Sequence, residues 1–143
     1  MCSSDLAEMH MIRLVKKISA GAKFIQTQAI FDVERFGLWL KDAKNEGVTE
    51  GAHIIAGVIP LKSYAAAKHM AEGVPGTLVP DEVLERMSSA SDESAEGMRI
   101  ATEAIESIRG MDGVSGIHVM PIYWYSGVRP LLEATGLLDE SGV

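Results

Sequence analysis

The chain has 143 residues and a formal charge of −7, with 47% hydrophobic and 23% charged residues, the balance of one globular domain able to bury a core. The acidic excess argues against a nucleic-acid partner, which needs a basic surface, and neither a signal peptide nor an apolar run near the ~20 residues of a membrane span is present. A single cysteine, Cys2, leaves no internal disulfide framework and fits a reducing cytoplasm.

Met1–Leu6 reads MCSSDL. The sequencing-library adapter GTGTGCTCTTCCGATCT encodes those residues when GTG is read as a start codon, so residues 1–6 are expected to be an adapter-derived artefact and are left out of fold reasoning. Met9–Ser19 is predicted as an amphipathic helix, with Met11, Leu14, Val15 and Ile18 at helical spacing. Arg13, Lys16 and Lys17 share another face; by themselves they fit a solvated basic surface near a helix carboxyl end.

Ala20–Asp32, AGAKFIQTQAIFD, organises the rest. Gly21 stops the helix, a short strand follows, and Asp32 caps the next helix. Alternation puts Phe24, Gln26 and Gln28 on one side and Ile25 and Thr27 on the other. An apolar strand turning to Gln-Thr-Gln at its carboxyl end fits an α/β sheet with its ligand outside the strand ends. It fits equally a glutamine satisfying loose backbone groups. Val33–Asn45 is the next helix, with Phe36, Trp39, Leu40 and Ala43 on its apolar stripe and Gly47 beyond its end; Trp39 reads as core packing.

His53–Ile59 is apolar almost throughout, as a parallel strand covered on both faces is. Gly57 permits a close backbone approach and Pro60 ends the strand. Ser63 caps a helix through Ala71, stopped by Gly73. Residues 73–80 are turn-rich, and Pro80, Asp81 and Glu82 suit the first turn of another helix. Ser88–Ser94 reads as a loop, and Glu96–Arg109 as a helix striped by Met98, Ala101, Ile105 and Ile108. Gly110–Gly116 turns the chain into a third strand, Ile117–Pro121. An aromatic cluster, Tyr123, Trp124 and Tyr125, follows, and then a helix from about Val128 to Thr135 with Pro130 in its first turn. The cluster can stack on a ligand or plug the mouth of a barrel.

This alternation is βα repetition with parallel strands. His10, His53, His69 and His118 lack zinc-site spacing. No GxGxxG, P-loop or Gly-x-Ser-x-Gly is present, and without a usable cysteine a covalent nucleophile has little support.

AGAKFIQTQAIFDVERF resembles the AGADFIITQxFFDxxxF segment of the methylenetetrahydrofolate reductases, flavoenzymes built on a TIM barrel. HIIAGVIPLKSYAAAKHM resembles that family's strand and helix around a Pro-Gly-Ile-Leu-Pro core, and a weaker likeness runs through GVSGIHVMP to LLEATGL. The resemblance covers nearly everything from Met9 onward. It implies an α/β fold, a partial (β/α)8 TIM barrel of about the last three βα units, because a complete barrel needs roughly 250 residues. Residues 7–143 are then the carboxyl-terminal half of the barrel.

The implied activity is FAD-dependent reduction of 5,10-methylenetetrahydrofolate to 5-methyltetrahydrofolate in cytoplasmic one-carbon and methionine metabolism. Electrons come from NAD(P)H or a partner electron-transfer subunit, and the full-length enzyme is a homo-oligomer or hetero-complex. Gln28 matches the glutamine that touches the folate. His10, Arg13, Lys16 and Lys17 fall on positions that contact FAD phosphates and ribose, with His10 replacing an acidic residue and Arg13 an amide. Tyr123 and Trp124 stand where the family often has Asn-Arg-Ala-Glu, and are assigned to the substrate. Ala66 and Met70 replace a common folate-contacting Gln and aromatic ring; Tyr64 and Lys68 lie nearby as substitutes or as surface residues. The general acid is expected outside this chain. A non-catalytic half-barrel binding module and another TIM-barrel enzyme are the rival readings.

Overall fold

The structure, a computed structural model, describes residues 3–138. Its elements are α1 (Ser3–Ser19), β1 (Phe24–Ala29), α2 (Val33–Asn45), α3 (Val48–Gly51), β2 (His53–Val58), α4 (Tyr64–Gly73), α5 (Asp81–Ser89), α6 (Glu93–Arg109), β3 (Val114–Val119), a 3₁₀ turn (Tyr125–Gly127) and α7 (Val128–Ala134). The three strands form one parallel sheet in the order β1-β2-β3. The α/β reading with parallel strands therefore holds. No described helix is long and apolar enough to cross a membrane.

Local signals explain most element boundaries. Asp32 accepts a hydrogen bond from Arg35 N–H and Ser63 from Ala66 N–H, so α2 and α4 start where their caps predict. Gly47 closes α2 at φ 76°, the left-handed conformation that favours glycine. The chain then makes α3, a four-residue turn too short to show periodicity. The acidic stretch expected as a loop over Ser88–Ser94 is mostly helical. Ser88 and Ser89 hydroxyls bond back to the Glu85 carbonyl, Asp92 caps α6 through Ala95 N–H, and only residues 90–92 remain as connection. The third strand begins at Val114, three residues ahead of expectation, and ends at Val119. Val114, Ser115 and Gly116 lack strand composition, but pairing with β2 overrides that weak local preference.

One sheet face is covered by helices. Ile54, Ala56 and Val58 are buried among Phe36, Leu40 and Ala43 of α2 and Ala101, Ala104, Ile105 and Ile108 of α6, with Ile25, Ile117 and Val119 packed alongside. Trp39 stacks on Phe36 at 5.7 Å and packs against this core, as expected. The opposite face is bare. Phe24 is 69% exposed there and stacks on His53 at 5.6 Å, while His53 Nδ1 lies 3.2 Å from Ser115 Oγ.

A second core closes the carboxyl end of the helical layer. Phe31, Ile59 and Leu61 meet Ala67 and Met70 of α4, Val83 and Met87 of α5 and Ile100 of α6. The Arg86 guanidinium ties α5 to α6 through Glu96 and Glu103, each at 2.7 Å, which holds the Glu103 carboxyl below its usual range. Gly97 lets α6 approach the chain after β2 so closely that a Cβ there would fall 1.6 Å from the Leu61 carbonyl oxygen.

Candidate functional site

Parallel strands place their carboxyl ends, and the loops that follow, at one pole of the sheet. Gln28 stands at that pole on β1. Its Oε1 would lie 3.2 Å from a Cβ at Gly76, so the carboxamide rests against the loop that follows α4. Gly76 has φ 80° and no side chain, which is how the loop comes this near. An open groove of about 460 Å³ runs beside Gln28, lined also by His10 of α1, Gln26, Asp32 and Arg35. The 73–80 connection reads in the sequence only as turns. Its role as a wall of this groove is a tertiary fact, and Gly76 flanked by Pro75 was its only signal.

The β3 end lies at the same pole. Met120 reaches over the side-chain-free face of Gly57, where a Cβ would fall 2.7 Å from its methyl carbon. The aromatic cluster then divides. Tyr123 is 89% exposed and holds φ 58°, the one described non-glycine residue with positive φ. Such conformations carry strain and concentrate at functional positions. Tyr125 is also exposed. Trp124 folds back instead, its indole atoms 2.8 Å from where a Cβ of Gly127 would stand. The rings that face solvent are Tyr123 and Tyr125; Trp124 braces the 3₁₀ turn.

Met70 is buried in the second core and Ala66 packs against it, so both answer to packing. Tyr64 also packs against that core.

Arg13, Lys16 and Lys17 are exposed on α1, and no ion pair among the described residues engages them. The last turn of α1 lies beside α3 at the amino-terminal pole, Ile18 within 2.8 Å of a Cβ position on Gly51. Lys16 and Lys17 are thus not brought together with Gln28; His10, earlier on the helix, is. Helical geometry puts His10, Arg13 and Lys17 on one stripe, at i, i+3 and i+7, running about 10 Å from Gln28's groove toward the amino-terminal pole. Lys16 leaves that stripe and lines a groove between α1 and α2 with Glu8, Asp42 and Glu46. An elongated anion starting at Gln28 fits the stripe of His10, Arg13 and Lys17 better than the acid-lined groove of Lys16.

A parallel sheet with helices on one face and polar groups at its strand carboxyl ends is the α/β architecture in which ligands sit outside the strand ends. The sequence profile of the family described as methylenetetrahydrofolate reductase matches residues 2–136, and the chain belongs to that family. Methylenetetrahydrofolate reductase (NADH) 1 of Arabidopsis thaliana is 29% identical over 98% of this chain, which covers 23% of that protein. Methylenetetrahydrofolate reductase 2 of Schizosaccharomyces pombe is 28% identical over 89% of this chain and 21% of its own length. A probable methylenetetrahydrofolate reductase (NADPH) of Caenorhabditis elegans is 27% identical over 92% and 20% respectively. The chain thus spans about a fifth to a quarter of the curated relatives it matches.

Proposed function

We propose that this chain is the carboxyl-terminal half of the TIM-barrel domain of a flavin-dependent 5,10-methylenetetrahydrofolate reductase, which forms 5-methyltetrahydrofolate in cytoplasmic one-carbon and methionine metabolism. The observation that carries the reading is the Gln28 carboxamide, held at the carboxyl end of β1 against Gly76 and beside an open groove. An amide offers both a donor and an acceptor, the pair a pterin edge requires. Tyr123, exposed on a strained backbone at the same pole, offers a face for stacking. Trp124 acts behind it by holding the turn.

FAD, when bound, supplies the hydride that reduces the folate. The chain's part is to bind and orient. His10, Arg13 and Lys17 line one side of α1 and attract the cofactor's diphosphate and ribose, with Lys16 contributing a longer-range field. The relatives' printed names carry NADH or NADPH, and NAD(P)H is assigned as electron donor of the full-length enzyme in preference to a partner subunit.

Gln28→Ala in the full-length reductase is expected to lower kcat/KM for the folate by about 10- to 100-fold, the effect of leaving a bound pterin group without its hydrogen-bonding partner, ~1–3 kcal/mol. Flavin content should stay at the parent level. Steady-state kinetics beside flavin absorbance checks this; equal loss of both functions removes Gln28 from the folate site. Lys17→Gln should speed FAD dissociation several-fold at low ionic strength, and less in salt, which screens the attraction. Lys16→Gln should have the smaller effect. Flavin-release rates across a salt series measure both, and a salt-independent parent-like rate returns the lysines to the solvent.

A further inference from the structure

Gln28 is aimed by an irregularity in β1. Pairing with β2 runs Phe24↔His53, Ile25↔Ile54 and Gln26↔Ile55, then resumes at Ala29↔Gly57. Three steps on β1 are set against two on β2, so β1 carries one extra residue, a β-bulge. The ladder shows how the extra residue is absorbed. His53 N–H donates to the Lys23 carbonyl at 2.8 Å, which sets the phase of a regular parallel pair. Carried forward four residues, that phase would have Gly57 N–H donate to the Thr27 carbonyl. It donates instead to the Thr27 hydroxyl, at 2.9 Å. The Gly57 carbonyl accepts from Ile30 N–H at 2.9 Å, one residue beyond the regular partner. The same Thr27 hydroxyl donates to the Gln28 carbonyl at 2.8 Å.

One side-chain oxygen therefore replaces a backbone acceptor and pins the displaced peptide at the same time. A hydroxyl has both roles, and a β-branched side chain holds it in few rotamers. Gly57 completes the device. A Cβ there would fall 2.8 Å from the Thr27 carbonyl oxygen and 3.0 Å from that of Gln28, so the bulge needs glycine opposite it.

We propose that Thr27 is a positioning residue for the reductase reaction: its hydroxyl, seated on Gly57 N–H, holds the β1 bulge that turns the Gln28 carboxamide toward Gly76 and the folate. The proposal rests on the reading of Gln28 as the folate's partner. Without the hydroxyl, Gly57 N–H loses this acceptor, and a slip of β1 to the regular register would offer it the Thr27 carbonyl. Closing the bulge would set Gln28 opposite Gly57, one position along β2 from its present place, which takes its carboxamide off Gly76.

The test uses the full-length reductase with Thr27→Val, which removes the hydroxyl at nearly constant shape, and Thr27→Ser, which keeps it; Thr27→Ala replaces the valine variant if that one does not fold. Thr27→Val is expected to lower kcat/KM for the folate about tenfold with flavin content unchanged. Thr27→Ser should stay within about twofold of the parent. In the Gln28→Ala background the valine change should cost nothing further, because it acts through Gln28. Crystal structures of the two variants supply a readout independent of turnover: the carboxamide should leave Gly76 with valine and stay with serine. A carboxamide still seated on Gly76 in the valine variant overturns the proposal, as does an equal loss in the Gln28→Ala background. If the carboxamide moves and folate turnover does not change, Thr27's positioning of Gln28 stands and the folate role of Gln28 falls.

Discussion

Replacing Gly97 by alanine is expected to destabilise this part of the protein by ~3 kcal/mol or more, although glycine-to-alanine changes inside helices ordinarily stabilise by up to about 1 kcal/mol. The reason is what a Cβ would meet. On Gly97 of α6 it would fall 1.6 Å from the Leu61 carbonyl oxygen, 2.7 Å from its carbonyl carbon and 3.3 Å from its Cα. All three are backbone atoms, which cannot swing aside as a side-chain end does. Leu61 is itself 1% exposed and sits between the buried Ile59 and the α4–α5–α6 core. Relief requires the first turns of α6 to lift away, opening the contacts of Ile100 and Ala101 with both cores. Thermal unfolding of the full-length protein reads the effect as a Tm lowered by a few degrees, about 2–6 °C for a chain of that size. Gly37→Ala, inside α2, is the control: a Cβ there meets only the Met111 methyl carbon at an ordinary 3.6 Å, and its Tm should match or exceed the parent's. A parent-like Tm for Gly97→Ala would show that the approach of α6 to Leu61 is looser than described.

What the sequence discloses depends on the range over which each signal acts. Caps work within one helical turn, so Asp32 and Ser63 mark their helix starts without reference to the rest of the fold. Strand β2 is equally legible as an apolar run, although α2 and α6 cover only its Ile54, Ala56 and Val58 face, and the cover expected on the other face is not among the described residues. Strand β3 is not. Ser115 and Gly116 belong to it only because β2 pairs with them, and pairing is invisible in one strand alone.

The site follows the same rule. Alternation and the polar end of β1 locate Gln28, but the bulge that aims it involves Thr27 and Gly57, which are 30 positions apart. Thr27, read by alternation as facing with Ile25, turns its hydroxyl into the ladder. Among the three aromatics after β3, composition cannot tell Tyr123, facing solvent, from Trp124, folded on Gly127. The place of Lys16 and Lys17 was within reach. A helix whose last turn lies a few residues before a parallel strand must end at that strand's amino-terminal pole. Motif alignment, which assigns these lysines to FAD and Gln28 to the folate, does not by itself say how far apart they stand.

Expressed alone, residues 1–143 are expected neither to hold FAD stoichiometrically nor to reduce methylenetetrahydrofolate. A closed barrel has no strand edges, and its inward face is filled by its own opposite strands. Here β1 and β3 each have a neighbour on one side only, β2 in both cases. The uncovered face shows Phe24 at 69% exposure, and Ile122, Tyr123 and Tyr125 stand open at the carboxyl pole. Unpaired parallel edges beside exposed apolar side chains recruit further copies of the same surface. The soluble form should therefore be an oligomer, a molten species or an aggregate. The cofactor argument is independent of that one. A groove of about 460 Å³ beside Gln28 and the proposed stripe of His10, Arg13 and Lys17 would reach only one flank of an extended dinucleotide and would leave the other in water. Electrostatic attraction of that kind, exposed and screened, is worth little per charge. Purified chain mixed with FAD and passed over gel filtration, with flavin absorbance recorded on the eluted peak and a reductase assay beside it, decides the matter. A monomeric peak carrying one flavin per chain, with turnover, would mean that three strands with open edges form a complete flavoenzyme.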